Sequence, residues 1–216
     1  MAGARDDTVT LLDARLRPSS ENAKATFNAI LQVTGELLSE VGFERLSTNM
    51  VAARAGLSPP ALYRYFPNKY ALLAELGRRL MAEQDVEVLA WHRDMKVATR
   101  PSLEKRVADL VTIMRHHVDI TREMPGGVWV MRALRAVPIL QPVRIESRDL
   151  VADSRYEHTR HWYPNTPVTD LRLCSRLSIE LSYSAIEMVV EEPDLDPEQA
   201  LTKAALMVET FFETMS

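Results

Sequence analysis

Residues 47–69 read STNMVAARAGLSPPALYRYFPNK, a pattern typical of two short helices joined by a tight turn. Thr48 is placed to cap the first helix, which ends where Gly56 can supply a positive φ. Ser58 is placed to cap the second helix, and Pro59 occupies its first position, where a missing N–H costs nothing. The pattern therefore predicts a helix-turn-helix whose second helix is free to lie in a DNA major groove.

The outward side chains of the second helix are short, aromatic or basic, and none is acidic, which suits a polyanionic partner. Among them Arg64 is the one side chain that can donate two parallel hydrogen bonds to a guanine. Two interpretations of Tyr63 are open: its side chain contacts a base, or it packs back into the DNA-binding head of the protein. The predicted base contacts are Pro60, Ala61, Tyr63 and Arg64, the predicted phosphate contacts are Thr48, Tyr65 and Lys69, and Ser58 and Pro59 complete the predicted DNA-binding set.

The longer pattern resembles the signature of the TetR family of transcriptional regulators. The resemblance is carried by Ala55–Ser58, Ala61–Phe66, Asn68–Lys69 and Leu72–Leu73, and about sixty residues, Lys24 to Gln84, resemble that family's N-terminal domain. It implies a homodimer that binds a palindromic double-stranded DNA operator, and repression that a small-molecule effector relieves. The remainder of the chain matches the family only in length and helical character.

Helical periodicity without strand-like alternation runs through the whole chain and predicts an all-α fold. We expect a flexible N-terminal arm over residues 1–20 and a DNA-binding domain over 21–84, with its helix-turn-helix at about 47–66. A larger helical body for effector binding and dimerisation should follow over 85–216. The predicted helices outside the helix-turn-helix cover about residues 21–41, 69–95, 101–120, 128–136, 143–162, 167–190 and 197 to the end, with Thr166 capping the helix that starts at Pro167.

Charge is distributed unevenly in the direction that a DNA-reading head requires. The net charge of the 216 residues is −4. Residues 1–80 hold ten Lys/Arg and eight Asp/Glu, whereas residues 81–216 hold sixteen and twenty-two. The margin is small, so it supports the motif without establishing DNA binding by itself.

Two helices near the C-terminus carry faces that suit close helix packing. One has small residues at three- and four-residue steps, and the other has an apolar stripe, so two copies could build a four-helix interface in a symmetric dimer. The alternative is that both faces complete the core of a single subunit. The predicted dimerisation residues are Leu171, Ser175, Ser178, Ser182, Ala185, Val189, Leu201, Ala205, Val208 and Phe212.

The family resemblance also implies an effector pocket in the body. Since no charged cluster falls inside the predicted apolar stripes, the expected effector is mostly apolar or aromatic. The candidate pocket residues are Trp91, Met114, His117, Trp129, Met131, Trp162 and Tyr183, each of which has plain core packing as its alternative.

Other functional classes find less support in the sequence. The spacing of His158 and His161, near Asp153 and Glu157, is compatible with a metal site, but no full ligand set follows, so we expect neither metal nor cofactor. The chain has no phosphate-cradling glycine loop and no nucleophile elbow, which argues against an enzyme. No apolar run is long enough to span a membrane, no secretory signal is visible, and the single Cys174 fits a reducing cytoplasm. The alternatives left open are an effector-independent helical DNA-binding protein and a protein-interaction module.

Overall fold

The computed structural model describes residues 11–16, 18–94 and 99–215, and within them every regular element is helical. The helices are α1 (Glu21–Arg45), α2 (Thr48–Arg54), α3 (Pro59–Tyr63), α4 (Lys69–Asp94), α5 (Leu103–Glu123), α6 (Gly127–Ala136), α7 (Gln141–Thr159), α8 (Val168–Glu191) and α9 (Pro197–Glu213), with 3₁₀ turns at Pro138–Leu140 and Arg160–Trp162. The predicted all-α class is confirmed.

The described residues divide into two compact units. The head unit comprises the described residues up to Met81 together with Arg122–Arg144, and the body unit comprises Ala82–Thr121 with the residues from Ile145 onward. The compact units therefore group residues 122–144, which contain α6, with the head. The functional boundary predicted near residue 84 stays a prediction.

The head unit is organised by local signals at its helix ends. Ser20 Oγ accepts the N–H of Ala23 and starts α1, which is interrupted at Gly42, where φ is +74°. Ser47, and not the predicted Thr48, caps α2 by accepting the N–H of Met50. The prediction for Thr48 was wrong by one residue because both neighbours carry a hydroxyl suited to capping.

A close backbone approach joins α1 to the turn before α6. A Cβ added at Gly35 would lie 2.1 Å from the carbonyl oxygen of Pro125, and one added at Gly126 would lie 2.4 Å from the carbonyl oxygen of Gly35. Gly126 also has a φ of +74°. Glycine is therefore required on both sides of this contact, and it fixes α6 against α1 in the head unit.

Residues 11–16 of the predicted arm contact the head. Leu12 is buried, the side chain of Arg78 donates to its carbonyl oxygen at 3.2 Å, and Asn68 Nδ2 donates to the carbonyl of Leu11 at 3.1 Å. The backbone N–H of Arg15 donates to the carbonyl of Tyr65 at 2.8 Å. Residues 1–10 and 17 lie outside the described residues, so the predicted flexibility of the arm stays a prediction.

The body unit is closed by its last two helices, α8 and α9. Asp196 caps α9 by accepting the N–H of Gln199, as its sequence predicts. Thr166 does not cap α8, because its hydroxyl donates instead to the carbonyl of Met215 at 3.1 Å. Among the described helices, none is both long enough and apolar enough to cross a bilayer.

The residues predicted for dimerisation are buried within the single subunit. All ten are less than 9% exposed in the single chain, because the small-residue face of α8 packs against the apolar face of α9. These residues are Leu171, Ser175, Ser178, Ser182, Ala185, Val189, Leu201, Ala205, Val208 and Phe212. Their burial favours the alternative that both faces complete the core of a single subunit, and their role in a dimer stays a prediction.

Candidate DNA-binding face and body cavity

The helix-turn-helix has the local geometry that its sequence predicts. Gly56 adopts a φ of +67° after α2, Ser58 caps α3 by accepting the N–H of Ala61, and Pro59 stands in its first turn. Val51 and Leu62 are fully buried between the helices. One side of α3 is therefore buried against α2, and the other side remains exposed.

All nine predicted DNA-binding side chains reach the surface of the head. Ser58, Pro59, Pro60, Tyr63 and Arg64 are exposed, while Thr48, Ala61, Tyr65 and Lys69 are half-buried. Exposure makes these residues available to DNA, and their assignment to bases or phosphates stays a prediction.

The two helices of the motif are also joined by exposed side chains. The hydroxyls of Tyr63 and Thr48 lie 3.0 Å apart. The Tyr63 side chain contacts α2 and remains 37% exposed, so both interpretations of Tyr63 stay open. Arg54, at the end of α2, forms a bidentate ion pair with Glu40 of α1, with N–O distances of 2.9 and 2.8 Å.

Lys69 is held in place at the start of α4. Its ammonium donates to the carbonyl of Phe43 at 3.2 Å and lies 4.3 Å from the centroid of the Phe43 ring. Asn68 caps α4 by accepting the N–H of Ala71 at 2.9 Å. An ammonium has three donors, so the bond to Phe43 leaves capacity for a phosphate beside the N-terminus of α4.

The body unit contains a narrow cavity with an aromatic wall. Its volume is about 50 Å³, several times the roughly 10–15 Å³ that one water molecule needs on the same measure. Of the predicted pocket residues, Trp91, Met114, His117, Trp162 and Tyr183 line it. Trp129 and Met131 do not, because α6 packs against α1 in the head unit, where Met131 is buried and Trp129 approaches Gly42.

A buried ion cluster, which the sequence analysis missed, forms one end of this cavity. Glu209 of α9 accepts from Arg106 of α5 at 2.9 Å and from Arg155 of α7 at 2.8 Å. Burial alone would raise the pKa of Glu209, but Arg155 and Arg106 together hold that pKa below its ordinary value. Arg106 also pairs with Glu213. The carboxylate is therefore ionised and paired, and two guanidiniums of the cavity are partly neutralised.

The histidines beside the cavity are neutral at physiological pH. Burial, together with the positive charge of Arg155, lowers the pKa of His92 to about 3. Burial likewise lowers the pKa of His117 to about 4, although a hydrogen bond from its Nδ1 to the carbonyl of Ile113 opposes the shift. Within the described residues no group of three or more potential ligands could hold a metal ion. Asp153, one of the candidates near His158, pairs with Arg172 instead.

Comparison with known proteins places this geometry in a family. Residues 30–76, which span the helix-turn-helix and the start of α4, match the model described as bacterial regulatory proteins of the tetR family. The class A tetracycline repressor from transposon 1721 of Escherichia coli is 43% identical over 56 residues. The head of the chain therefore contains a TetR-family DNA-binding domain. The aligned part covers 26% of this chain and 26% of that repressor, so the chain spans about a quarter of the length of this relative.

Solved structures extend the similarity of fold beyond the head. A tetR-family transcriptional regulator from Streptomyces coelicolor superposes with a TM-score of 0.62 and 22% identity, covering 89% of this chain and 85% of that one. SmeT, solved as a complex with triclosan, superposes with a TM-score of 0.66 and 20% identity, covering 87% and 91%. The helix-turn-helix head followed by a larger helical body is therefore a TetR-family fold in this chain.

Helix α8 carries a row of exposed apolar side chains that the sequence analysis did not predict. Leu173, Leu177, Leu181 and Met188 follow one another at four- and seven-residue steps and are each about half exposed. On α9, Met207 is 72% exposed and Phe211 is 52% exposed. The signal was present as a second apolar stripe, which lies on the flank of α8 next to the face of the buried serines.

Proposed function

We propose that this TetR-family protein is a sequence-specific DNA-binding transcriptional regulator. It acts as a homodimer on a palindromic operator and represses transcription until a small neutral effector occupies the body cavity. The observation that carries the proposal is the helix-turn-helix with a glycine turn at Gly56 and an exposed outer face on α3. Arg64 provides the guanine-reading side chain on that face. The family match over the same residues supports this assignment.

Dimerisation is supported by the exposed apolar row of α8. Leu173, Leu177, Leu181 and Met188, with Met207 and Phe211 on α9, leave more apolar surface in solvent than isolated exposed residues would. A two-fold axis beside this row would pair α8 and α9 with their copies in a four-helix interface. Two heads would then read half-sites separated by about one helical turn, ~34–36 Å, or somewhat more.

Effector control is supported by the cavity and by what related proteins are named for. One relative is a tetracycline repressor, and SmeT has been solved with triclosan. In this chain the cavity is lined by two guanidiniums and two carboxylates, on Arg106, Arg155, Asp109 and Glu209, which balance one another. A neutral small molecule is therefore the effector that the cavity suits.

The test is selection of bound fragments from random double-stranded DNA, run in parallel with the wild-type protein and the Arg64→Ala variant. We expect the wild-type protein to enrich a palindrome, and Arg64→Ala to lose definition at one position of each half-site, at a cost of about 1–3 kcal/mol. Arg160→Ala is the matched control, because it removes the same charge from an exposed arginine of the body unit that pairs with Glu157. Failure of the folded wild-type protein to enrich any sequence would refute the proposal.

Lys69 provides a second arm of the same test. The Lys69→Gln variant, which lacks the ammonium, should bind all DNA sequences more weakly to the same extent. The slope of log K for DNA binding against log salt concentration should become shallower by about one. An unchanged slope would mean that Lys69 packs against Phe43 and does not contact a phosphate.

A further inference from the structure

Three residues that line the cavity of the body unit carry polar atoms that are sealed from solvent and have no hydrogen-bond partner among the described residues. They are Arg155 Nε, His158 Nε2 and Asp109 Oδ2, and all three residues line the cavity. Leaving such a group unpaired inside a protein is unfavourable. A ligand that satisfies them therefore gains binding energy from atoms that the folded chain leaves unused.

The protonation of His158 defines one of these atoms as an acceptor. His158 Nδ1 lies 3.0 Å from the carbonyl oxygen of His92, which can only accept, so Nδ1 carries the proton. Burial lowers the pKa of His158, and the charge of Arg155 acts in the same direction, while the bond to His92 opposes it. The ring is therefore neutral, and Nε2 keeps a lone pair that no described residue uses.

Arg155 places a donor beside this acceptor. Its terminal nitrogen pairs with Glu209 at 2.8 Å and its guanidinium lies 4.7 Å from the Phe212 ring centroid, which fixes the side chain and leaves Nε–H unused. Arg155 and His158 are three residues apart on α7, so their side chains share one face of the helix. One unused donor and one unused acceptor therefore lie on the same face of α7, on residues that line the cavity.

A hydroxyl is the simple group that satisfies both atoms, because it donates one hydrogen bond and accepts others. A carboxylate could accept from Arg155 but could not donate to His158, and the carboxylate of Asp109 would oppose it. An ammonium could donate to His158 but could not accept from Arg155. The ligand group that matches this pair is therefore neutral and carries an O–H.

The surroundings of His158 select the rest of the ligand. Its ring centroid lies 5.2 Å from Trp91, 5.1 Å from Trp162 and 5.3 Å from His92. Rings at these separations favour further edge-to-face or offset aromatic contacts. The small volume of the cavity favours a compact ring.

We propose that the body cavity binds a compact phenol, whose hydroxyl donates to His158 Nε2 and accepts from Arg155 Nε–H. Its role as the effector rests on the proposed function above, whereas binding itself does not.

The experiment is calorimetric titration of the full-length protein with phenol, its methyl ether anisole, and benzoate. We expect phenol to bind about tenfold more tightly than anisole, which lacks the donor, and benzoate to bind more weakly than phenol. His158→Phe keeps a ring of similar size but removes the acceptor, and it should abolish the preference for phenol over anisole. His161→Phe is the matched control, because His161 is an exposed histidine that does not line the cavity, and it should keep the preference.

Equal binding of phenol and anisole to the wild-type protein, or no binding of phenol, would overturn the inference without any variant having to fold. An unchanged preference in folded His158→Phe would overturn it as well. Operator binding is measured on the same samples. If phenol binds as expected but leaves DNA affinity unchanged, the phenol site stands and effector control by this site fails. If phenol does not bind while benzoate releases DNA, the regulator stands and the phenol assignment fails.

Discussion

The hydroxyl of Tyr63 lies 3.0 Å from the hydroxyl of Thr48, which ties the end of the recognition helix α3 to the start of α2. Neither residue is buried, so this bond contributes little to the stability of the head. Its consequence is orientation, because it restrains an aromatic ring on the face that is predicted to meet DNA.

We expect Tyr63→Phe and Thr48→Val each to weaken operator binding about two- to tenfold, the value of one hydrogen bond, with little change in melting temperature. If the two hydroxyls act as one unit, the double variant should bind no more weakly than the weaker single variant. Fluorescence anisotropy with a labelled operator measures all four proteins. Fully additive losses would show instead that each hydroxyl contacts DNA separately.

A second prediction concerns the exposed row of α8. Leu177→Glu places a charge in the middle of Leu173, Leu177 and Leu181, and we expect it to convert the proposed dimer to monomers, as measured by sedimentation equilibrium. Val86→Glu introduces the same charge at another exposed apolar residue, 69% exposed on α4, and should leave the dimer intact. A Leu177→Glu protein that remains dimeric would exclude the row from the interface.

The contact between α1 and the turn before α6 gives a third prediction. Gly35→Ala drives a methyl group into the backbone oxygen of Pro125, whereas Gly77→Ala meets the end of the Leu134 side chain at 2.7 Å. A side chain can rotate away and a backbone carbonyl cannot, so Gly35→Ala should be the more destabilising, by about 1–3 kcal/mol or more. Urea denaturation of the two variants gives the comparison directly, and an equal loss of stability in both would contradict it.

The head was predictable from sequence because its signals are local. A cap, a positive-φ glycine and a proline within one turn specify a helix end whatever surrounds it, and both Gly56 and Ser58 hold the predicted roles. Ser47 was missed only because Thr48 carries an equivalent hydroxyl.

The body was less predictable because its determinants are distant in sequence. Periodicity indicates that a face is apolar but not what covers it, so the small-residue face around Ser178 was assigned to a partner although α9 of the same chain covers it. The ion cluster joins Arg106 to Glu209 across 103 positions, and each residue alone is one charge in an apolar stripe. Trp91 and Trp162 line the cavity, as predicted. Such residues can be proposed from sequence because aromatic side chains commonly line ligand pockets.

The last prediction concerns Asp85, a carboxyl on the body half of α4 that is only 6% exposed. Ser147 Oγ donates to Asp85 Oδ1 at 2.9 Å. Burial raises the pKa of Asp85 from 3.8 to about 6, although the bond from Ser147 and the charge of Arg148 both oppose the shift. Between about pH 4 and 6 the folded protein therefore binds a proton that the unfolded chain does not. The contribution of Asp85 to stability consequently falls as the pH rises through this window, by about 2–3 kcal/mol.

Asp85→Asn keeps the shape and the acceptor for Ser147 but cannot ionise. We expect it to be as stable as the wild-type protein near pH 4 and more stable above pH 6, with the difference developing between those values in urea denaturation. Asp153→Asn is the control, because Asp153 is exposed and paired with Arg172, and its difference from the wild-type protein should not grow with pH in this direction. A less stable Asp85→Asn at pH 7.5 would mean that attraction to Arg148 outweighs the cost of burying the charge. The carboxylate would then stabilise the body unit in its ionised form.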